Sequence, residues 1–368
     1  MNIIVDLNNI KSNINKMKEI TNRNIIAVVK SNAYGLGSRR IISFLIEQNI
    51  NYFFFNKLSE YQKEYEIIKN VNSIIFESLK LKQIEKINNP NIIISINSIQ
   101  DMKEISKINT KIRVHLQIDT GMNRLGIRSL DDCKEIIDIA RTNPNIMIEG
   151  IYTHYGSSVD EYFNIQQDEF KKYLELYNFK IIHSNSTSTL HKNIIGNFIR
   201  VGMGLYGYHS KIGLKKTISA YTKVLNIFNL KEKEKLGYGE EYFSKGLEKI
   251  AVIDIGYYDS KIIDKVYYLD KSFKIIARKC MNHSYIKIND EINLQSHLSV
   301  IVKSDIIFND EYNYYHVLVS LDHLKKNYQL RCENEIFDIF KRTNKKSRIS
   351  WFRKRSYSSF NFRNIRIK

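Results

Sequence analysis

The chain has 368 residues, 43% of them hydrophobic, and carries 57 Lys and Arg against 39 Asp and Glu, a formal net charge of +18. That length supports a large core and two domains, and that composition excludes a wholly disordered chain. No apolar run is long enough to span a membrane. Three widely spaced cysteines, Cys133, Cys280 and Cys332, lack the paired spacing of a zinc site and are expected to be reduced thiols.

The charge is concentrated at one end. Residues 341–368 hold eleven Lys and Arg and no acid, which leaves the body with 46 basic against 39 acidic residues, or +7. The opening MNIIVDLNNIKSNINK lacks the basic-then-apolar plan of a secretory leader, so a cytoplasmic protein is expected.

In chain order, short β-branched runs recur at residues 25–30, 51–55, 72–78, 91–97, 111–119, 146–154, 180–185 and 198–207. Segments with apolar residues three and four apart, such as SRRIISFLIEQ, LDDCKEIIDIAR and EYFNIQQDEFKKYLELY, lie between them. Eight strands alternating with helices predict an α/β fold, an N-terminal (β/α)8 TIM-type barrel over residues 1–212. A doubly wound sheet is the competing architecture, disfavoured because no GxGxxG follows the first strand. From residue 213 the runs are strand-like with little helix between them, predicting a mostly β domain over 213–340. Residues 341–368 form a basic tail with interleaved aromatics.

Reactive groups of such barrels gather where the strands end. Lys30 follows five apolar residues in IIAVVK, and a charged amine there needs a partner or a covalent task. Arg124, His154, Asn185, Ser186 and Arg200 stand at the ends of later strands. Gly202 and Met203, with the Ser186 hydroxyl, have the chemistry of a phosphate site. A lysine beside a phosphate site suggests pyridoxal 5'-phosphate held as a Schiff base.

Five segments in order carry a family resemblance. AVVKSNAYGLG resembles the cofactor-lysine motif of the alanine racemase family, and QIDTGMNRLGI its DTGMxRLG segment. FIRVGMGLYG, DIGYYDS and ARKCMNH resemble its RPGIALYG, GYADG and GRVCMDQ motifs. The resemblance spans about residues 3 to 290. It implies a PLP-binding barrel followed by a β domain, acting as a homodimer on a small amino acid. Lys30 would bear the cofactor and act as one base, while Tyr257, supplied across the dimer, would be the other. Arg200 would face the pyridine nitrogen. Ser186, Gly202, Met203 and Tyr34 would hold the phosphate, and His154 would neighbour the second base. Arg124 and the backbone of Met281 would face the substrate carboxylate.

Several positions depart from the family pattern. Gln117 stands where many members carry a carbamylated lysine, so Arg124 is expected to be oriented by an amide oxygen. Asn123 replaces a glycine and Asn282 an aspartate, and Trp351 is a candidate for a missing C-terminal tyrosine. The expected activity is interconversion of L- and D-alanine, supplying D-alanine for peptidoglycan. A racemase for serine or a broader set of amino acids is the nearest alternative. Further alternatives are a non-catalytic PLP-binding protein, a decarboxylase of the same barrel, and a nucleic-acid binder acting through the tail, the last being disfavoured.

Overall fold

The computed structural model describes residues 1–87, 89–208, 210–259, 263–268, 271–301 and 322–330. The basic tail, Cys332 and Trp351 lie outside these residues.

The first strand, β1 (Asn2–Asp6), precedes the barrel, whose strands are β2 (Asn24–Val28), β3 (Tyr52–Phe55), β4 (Asn72–Ile75), β5 (Ile92–Ile96), β6 (Ile112–Ile118), β7 (Ile146–Thr153), β8 (Ile181–Ser186) and β9 (Phe198–Val201). They close in that order, each parallel to its neighbours, with β9 pairing back to β2. Each of the eight runs picked from sequence overlaps one barrel strand. The last is shorter than expected: it stops at Val201, and Met203–Tyr206 coil into a 3-10 turn.

Amphipathic helices coat the barrel because their apolar stripes have nowhere else to be buried. Helix Leu130–Thr142 is capped by Ser129, which accepts from the Asp132 N–H at 3.0 Å, and buries Cys133, Ile136 and Ile137. Burial pushes the Cys133 thiol up to about 12, so it stays protonated and inert. No helix among the described residues is long and apolar enough to cross a membrane.

The second sheet contains β10 (Ile218–Leu230), β11 (Glu248–Ile253), β12 (Lys265–Tyr268), β13 (Lys271–Ile276), β14 (Ser284–Lys287), β15 (His297–Ile301) and β16 (Lys326–Gln329). It also takes β1, antiparallel to β10 and parallel to β16. The N-terminus was expected to belong with the barrel; its strand instead completes the other sheet. Helix Leu7–Thr21 then leads back to the barrel. Asn9 and Asn13 on that helix donate to the carbonyls of Lys216, Leu205 and Lys215, pinning the segment that joins barrel to sheet.

Inside the barrel the two halves differ. Ile26, Phe54, Ile74 and Ile93 from β2 to β5 form an apolar cluster closed by Tyr152. Strands β6 to β9 bring polar groups inward: His115, Gln117, His183 and Arg200, all buried. Between β6 and β7 the register slips at Val114/His115, where β7 carries an extra residue. Glu149 and Gly150 of β7 thus both oppose His115 of β6, where an ordinary ladder sets one residue against one.

Gly150 has no room for a side chain. A Cβ there would lie 2.6 Å from the Ile181 carbonyl oxygen and 2.8 Å from His115 Nε2. Gly150→Ala is therefore expected to destabilise the protein by about 1–3 kcal/mol, as overpacking does. Urea unfolding would check this; a loss below about 0.5 kcal/mol, the range of neutral surface changes, would mean the strand simply relaxes.

Candidate active site

Lys30 does not end a strand, as expected from sequence, but follows β2 by two residues. Beyond it the backbone makes a left-handed turn: Ser31, Asn32, Ala33 and Tyr34 have φ of +52°, +54°, +53° and +57°, before Gly35 at +79°. Each non-glycine residue there costs about 1–2 kcal/mol. The turn persists because its polar groups are held on several sides. The Ala33 and Gly35 N–H groups donate to Val29 and Ser31 carbonyls at 3.0 and 2.9 Å. The Ser31 N–H donates to Glu60 Oε1 at 2.7 Å. Asn32 Oδ1 accepts from the Ser38 N–H and hydroxyl at 2.8 and 2.9 Å, and Asn32 Nδ2 donates to Asp322 of the second sheet region at 2.5 Å.

The turn aims Lys30 and Tyr34 into one cavity of about 190 Å3. Arg124, His154, Ser186, Arg200, Gly202 and Met203 line it too, whereas Asn185, also singled out from sequence, is buried outside it and donates to the Thr189 and Asn193 carbonyls. Tyr257 and Met281 are not among its lining. They are 43% and 54% exposed on the second sheet's loops, where Tyr257 and Tyr258 donate backbone N–H bonds to the carbonyls of Cys280 and Met281 at 3.0 and 2.9 Å. A Cβ on Gly256 would overlap the Met281 backbone, so only glycine lets the two loops meet.

Arg200 is 4% exposed. Its Nη1 donates to His183 Nδ1 at 2.8 Å and to the His183 carbonyl at 2.6 Å; its Nη2 donates to the Thr153 carbonyl at 2.5 Å and reaches His154 Nδ1 at 3.3 Å. The Tyr152 ring lies 5.1 Å from the guanidinium carbon and stacks on His183. Burial lowers even this arginine, to about 10. Burial, then Arg200, Arg124 and Lys30, hold His154 at about 3, so its ring is neutral.

Burial also lowers the Lys30 pKa from 10.5, assisted by the charge of Arg124 and opposed by Glu60. A lysine so placed offers more free amine near neutrality than a surface lysine does. Near Gly202 the walls are small and polar. A Cβ there would overlap the Tyr34 hydroxyl, and Ser186 and Ser188 hydroxyls stand 3.2 Å apart nearby in the sequence. Amine, hydroxyls, bare backbone and a buried cation together fit a ligand that carries both an aldehyde and a phosphate.

Gln117 does not orient Arg124, contrary to expectation. Its amide oxygen accepts from the Tyr152 hydroxyl at 2.7 Å, and its amide nitrogen donates to the Leu125 carbonyl at 2.6 Å, beside the arginine in the chain. Arg124 itself lies over the Phe76 ring, 5.1 Å from its centre, and has no hydrogen-bonding or ion-pair partner among the described residues. Asn123 has φ +57°, which explains why it can stand in for a glycine: asparagine tolerates the left-handed region.

Sequence reasoning missed Tyr152, His183, Glu60 and the apolar wall of Phe54 and Phe76. Tyr152 had a signal, since it lies two residues before His154 in the run 146–154 and so on the same side of an extended chain. Glu60 had none, being brought to Ser31 from the helix after the next strand.

Comparison with known proteins bears on this arrangement. Residues 5–210 match the model for the alanine racemase N-terminal domain, and residues 217–317 that for its C-terminal domain. The alanine racemase of Borreliella burgdorferi strain ZS7 is 31% identical over 336 residues, covering 84% of this chain and 90% of that protein. The crystal structure of alanine racemase from E. faecalis superposes with a TM-score of 0.81 at 22% identity, over 89% of this chain and 98% of that one. The alanine racemase of Bartonella henselae, solved with covalently bound pyridoxal phosphate, gives 0.80 at 22% identity, over 89% and 99%. By the match of both domain models and the identity to its curated relatives, this chain belongs to the alanine racemase family.

Proposed function

We propose that the protein is a pyridoxal-phosphate-dependent racemase that interconverts L- and D-alanine. The observation that carries this reading is that Lys30, its pKa lowered by burial, shares one cavity with Arg200, Ser186 and Gly202. The cofactor, when bound, withdraws electrons from the amino acid and makes its Cα–H acidic.

Lys30 binds the cofactor and moves a proton to or from one face of Cα. Ser186, Tyr34 and the backbone at Gly202 and Met203 hold the phosphate. Arg200 would be the group placed toward the cofactor's ring nitrogen; a guanidinium offers only donors, so it would leave that nitrogen unprotonated and make the ring a weaker electron sink. Arg124, which lies over the Phe76 ring and has no ion-pair partner among the described residues, receives the substrate carboxylate.

Racemisation needs a second base on the opposite face. Tyr257 takes that role from a second copy of the chain, together with the Met281 backbone, in a homodimer. Support comes from the exposure of both residues and from the backbone bonds that hold their loops side by side. The barrel, β2 to β9, then holds the cofactor, and the second sheet, β1 included, completes the partner's site. We assign the enzyme to the cytoplasm, supplying D-alanine to cell-wall peptide.

Incubating purified protein and cofactor with L-alanine, followed by chiral separation, should give D-alanine rising toward an equal mixture. No D-alanine, with D-serine or another enantiomer formed instead, would move the assignment to that amino acid. Lys30→Ala should abolish both the visible absorbance of lysine-bound cofactor and the activity. Tyr257→Phe should slow interconversion about 10²–10⁴-fold, the worth of a general base, while one enantiomer still exchanges its Cα proton with deuterated solvent. Unimpaired interconversion by Tyr257→Phe would overturn the two-base assignment.

The lysine has a further consequence for the cofactor-free protein. Its folded pKa is below the unfolded value, so the unfolded chain holds the proton more tightly and folding is penalised at low pH. The penalty is full below the folded pKa and fades as pH rises toward 10.5. Lys30→Met should raise the stability of the cofactor-free protein by about 1 kcal/mol near neutrality, with a gain that shrinks in alkali. Thermal melting across a pH series would read this; a gain independent of pH would mean that the charge is not its cause.

A further inference from the structure

The polar half of the barrel contains an unbroken line of groups from Arg200 to the far side of β7. A guanidinium can only donate, so the 2.8 Å contact from Arg200 Nη1 requires a lone pair on His183 Nδ1. His183 is fully buried, and burial, then Arg200, keeps its ring neutral. Its single proton therefore sits on Nε2, which lies 2.9 Å from His115 Nδ1. That nitrogen must accept. His115 is also fully buried, and burial holds it neutral in turn, so its proton is on Nε2.

What faces His115 Nε2 is Glu149. Its Oε2 lies 3.7 Å away, an electrostatic contact longer than a hydrogen bond, and that nitrogen has no hydrogen-bond partner among the described residues. Arg113 grips Glu149 with bonds of 2.6, 2.8 and 3.1 Å. Burial pushes the Glu149 carboxyl up, but the His115 ring facing it and the hydrogen bonds and charge of Arg113 outweigh it and leave it at about 2, an anion at any working pH. The β7 bulge is what turns Glu149 inward, and Gly150 leaves the space that the His115 ring occupies.

We infer that Glu149 is a positioning residue for Arg200, acting through His115 and His183: the carboxylate at one end and the guanidinium at the other force both imidazoles into the Nε2–H tautomer, so that a lone pair always meets Arg200. Every donor in the line points from Arg200 toward Glu149. The opposite tautomers would set N–H against N–H at Arg200 and a lone pair against the carboxylate at His115. Tyr152, stacked on His183 at 4.6 Å and 10°, keeps that ring in plane. The catalytic consequence rests on the reading of Arg200 as the partner of the pyridine nitrogen.

The test is a nitrogen-15 NMR spectrum of histidine-labelled holoenzyme, with His115 and His183 assigned from His115→Gln and His183→Gln spectra. Both should be neutral Nε2–H tautomers. An Nδ1–H tautomer or an imidazolium at either position would overturn the inference, whatever the activity. Replacing the ion pair as a unit, Arg113→Met with Glu149→Met, removes the carboxylate without stranding a buried charge. It should mix the His115 tautomers and lower kcat for L-alanine about tenfold with KM within about twofold. Wild-type spectra and kcat in that variant would also overturn it; if the variant does not fold, the wild-type tautomers decide. A wild type with the expected tautomers but no alanine racemisation would instead count against the proposed function.

Discussion

A guanidinium buried in the middle of a barrel must find an acceptor for each of its N–H groups, since water cannot supply them. Arg200 imposes that demand here, and the surrounding strands meet it. Carbonyls of Thr153, His183 and Ser184 and the Nδ1 atoms of His183 and His154 converge on it. The barrel is consequently split into an apolar half, built from isoleucine and phenylalanine, and a polar half whose side chains satisfy one another. Even the β7 bulge belongs to this arrangement, because it turns a carboxylate inward where strand alternation would not.

The same positive environment governs the titrating groups of the cavity. Burial, then Arg124, disfavours the charged form of Lys30, and burial, then Arg200, Arg124 and Lys30, that of His154. The result is a lysine poised to lose its proton and a histidine that remains neutral. Departures from the family pattern alter details and leave this logic in place. Gln117 joins Tyr152 to the carbonyl of Leu125, so it braces the loop that carries Arg124 without touching the guanidinium.

Strain is concentrated where the chemistry is expected. Four successive left-handed residues follow Lys30, and their cost is offset by Glu60 from one helix, Ser38 from another and Asp322 from the far region of the chain. Tyr328 adds a hydroxyl bond to the Leu36 carbonyl at 2.6 Å, so the second sheet braces the lysine loop although it contributes nothing to the cavity lining. β1 and β16, from opposite ends of the described chain, pair with each other within that sheet.

The local pattern of the sequence determined the eight barrel strands, the helices coating them and the segments that carry Lys30, Arg124, His154, Ser186 and Arg200. Periodicity and spacing are local properties, and these elements are fixed by which neighbouring residues are apolar. Tertiary structure alone decided the rest. In SNAY only Asn32 is of a type that tolerates positive φ; the turn exists because distant side chains satisfy it. Nothing marks His115 and His183 among the nine histidines of the chain until 68 residues of separation close to 2.9 Å across the barrel. β1 looked like part of the barrel because it precedes the barrel in sequence. It joined the other sheet because its free edges pair there, with β10 and β16, and backbone pairing over such separations leaves no trace in local composition.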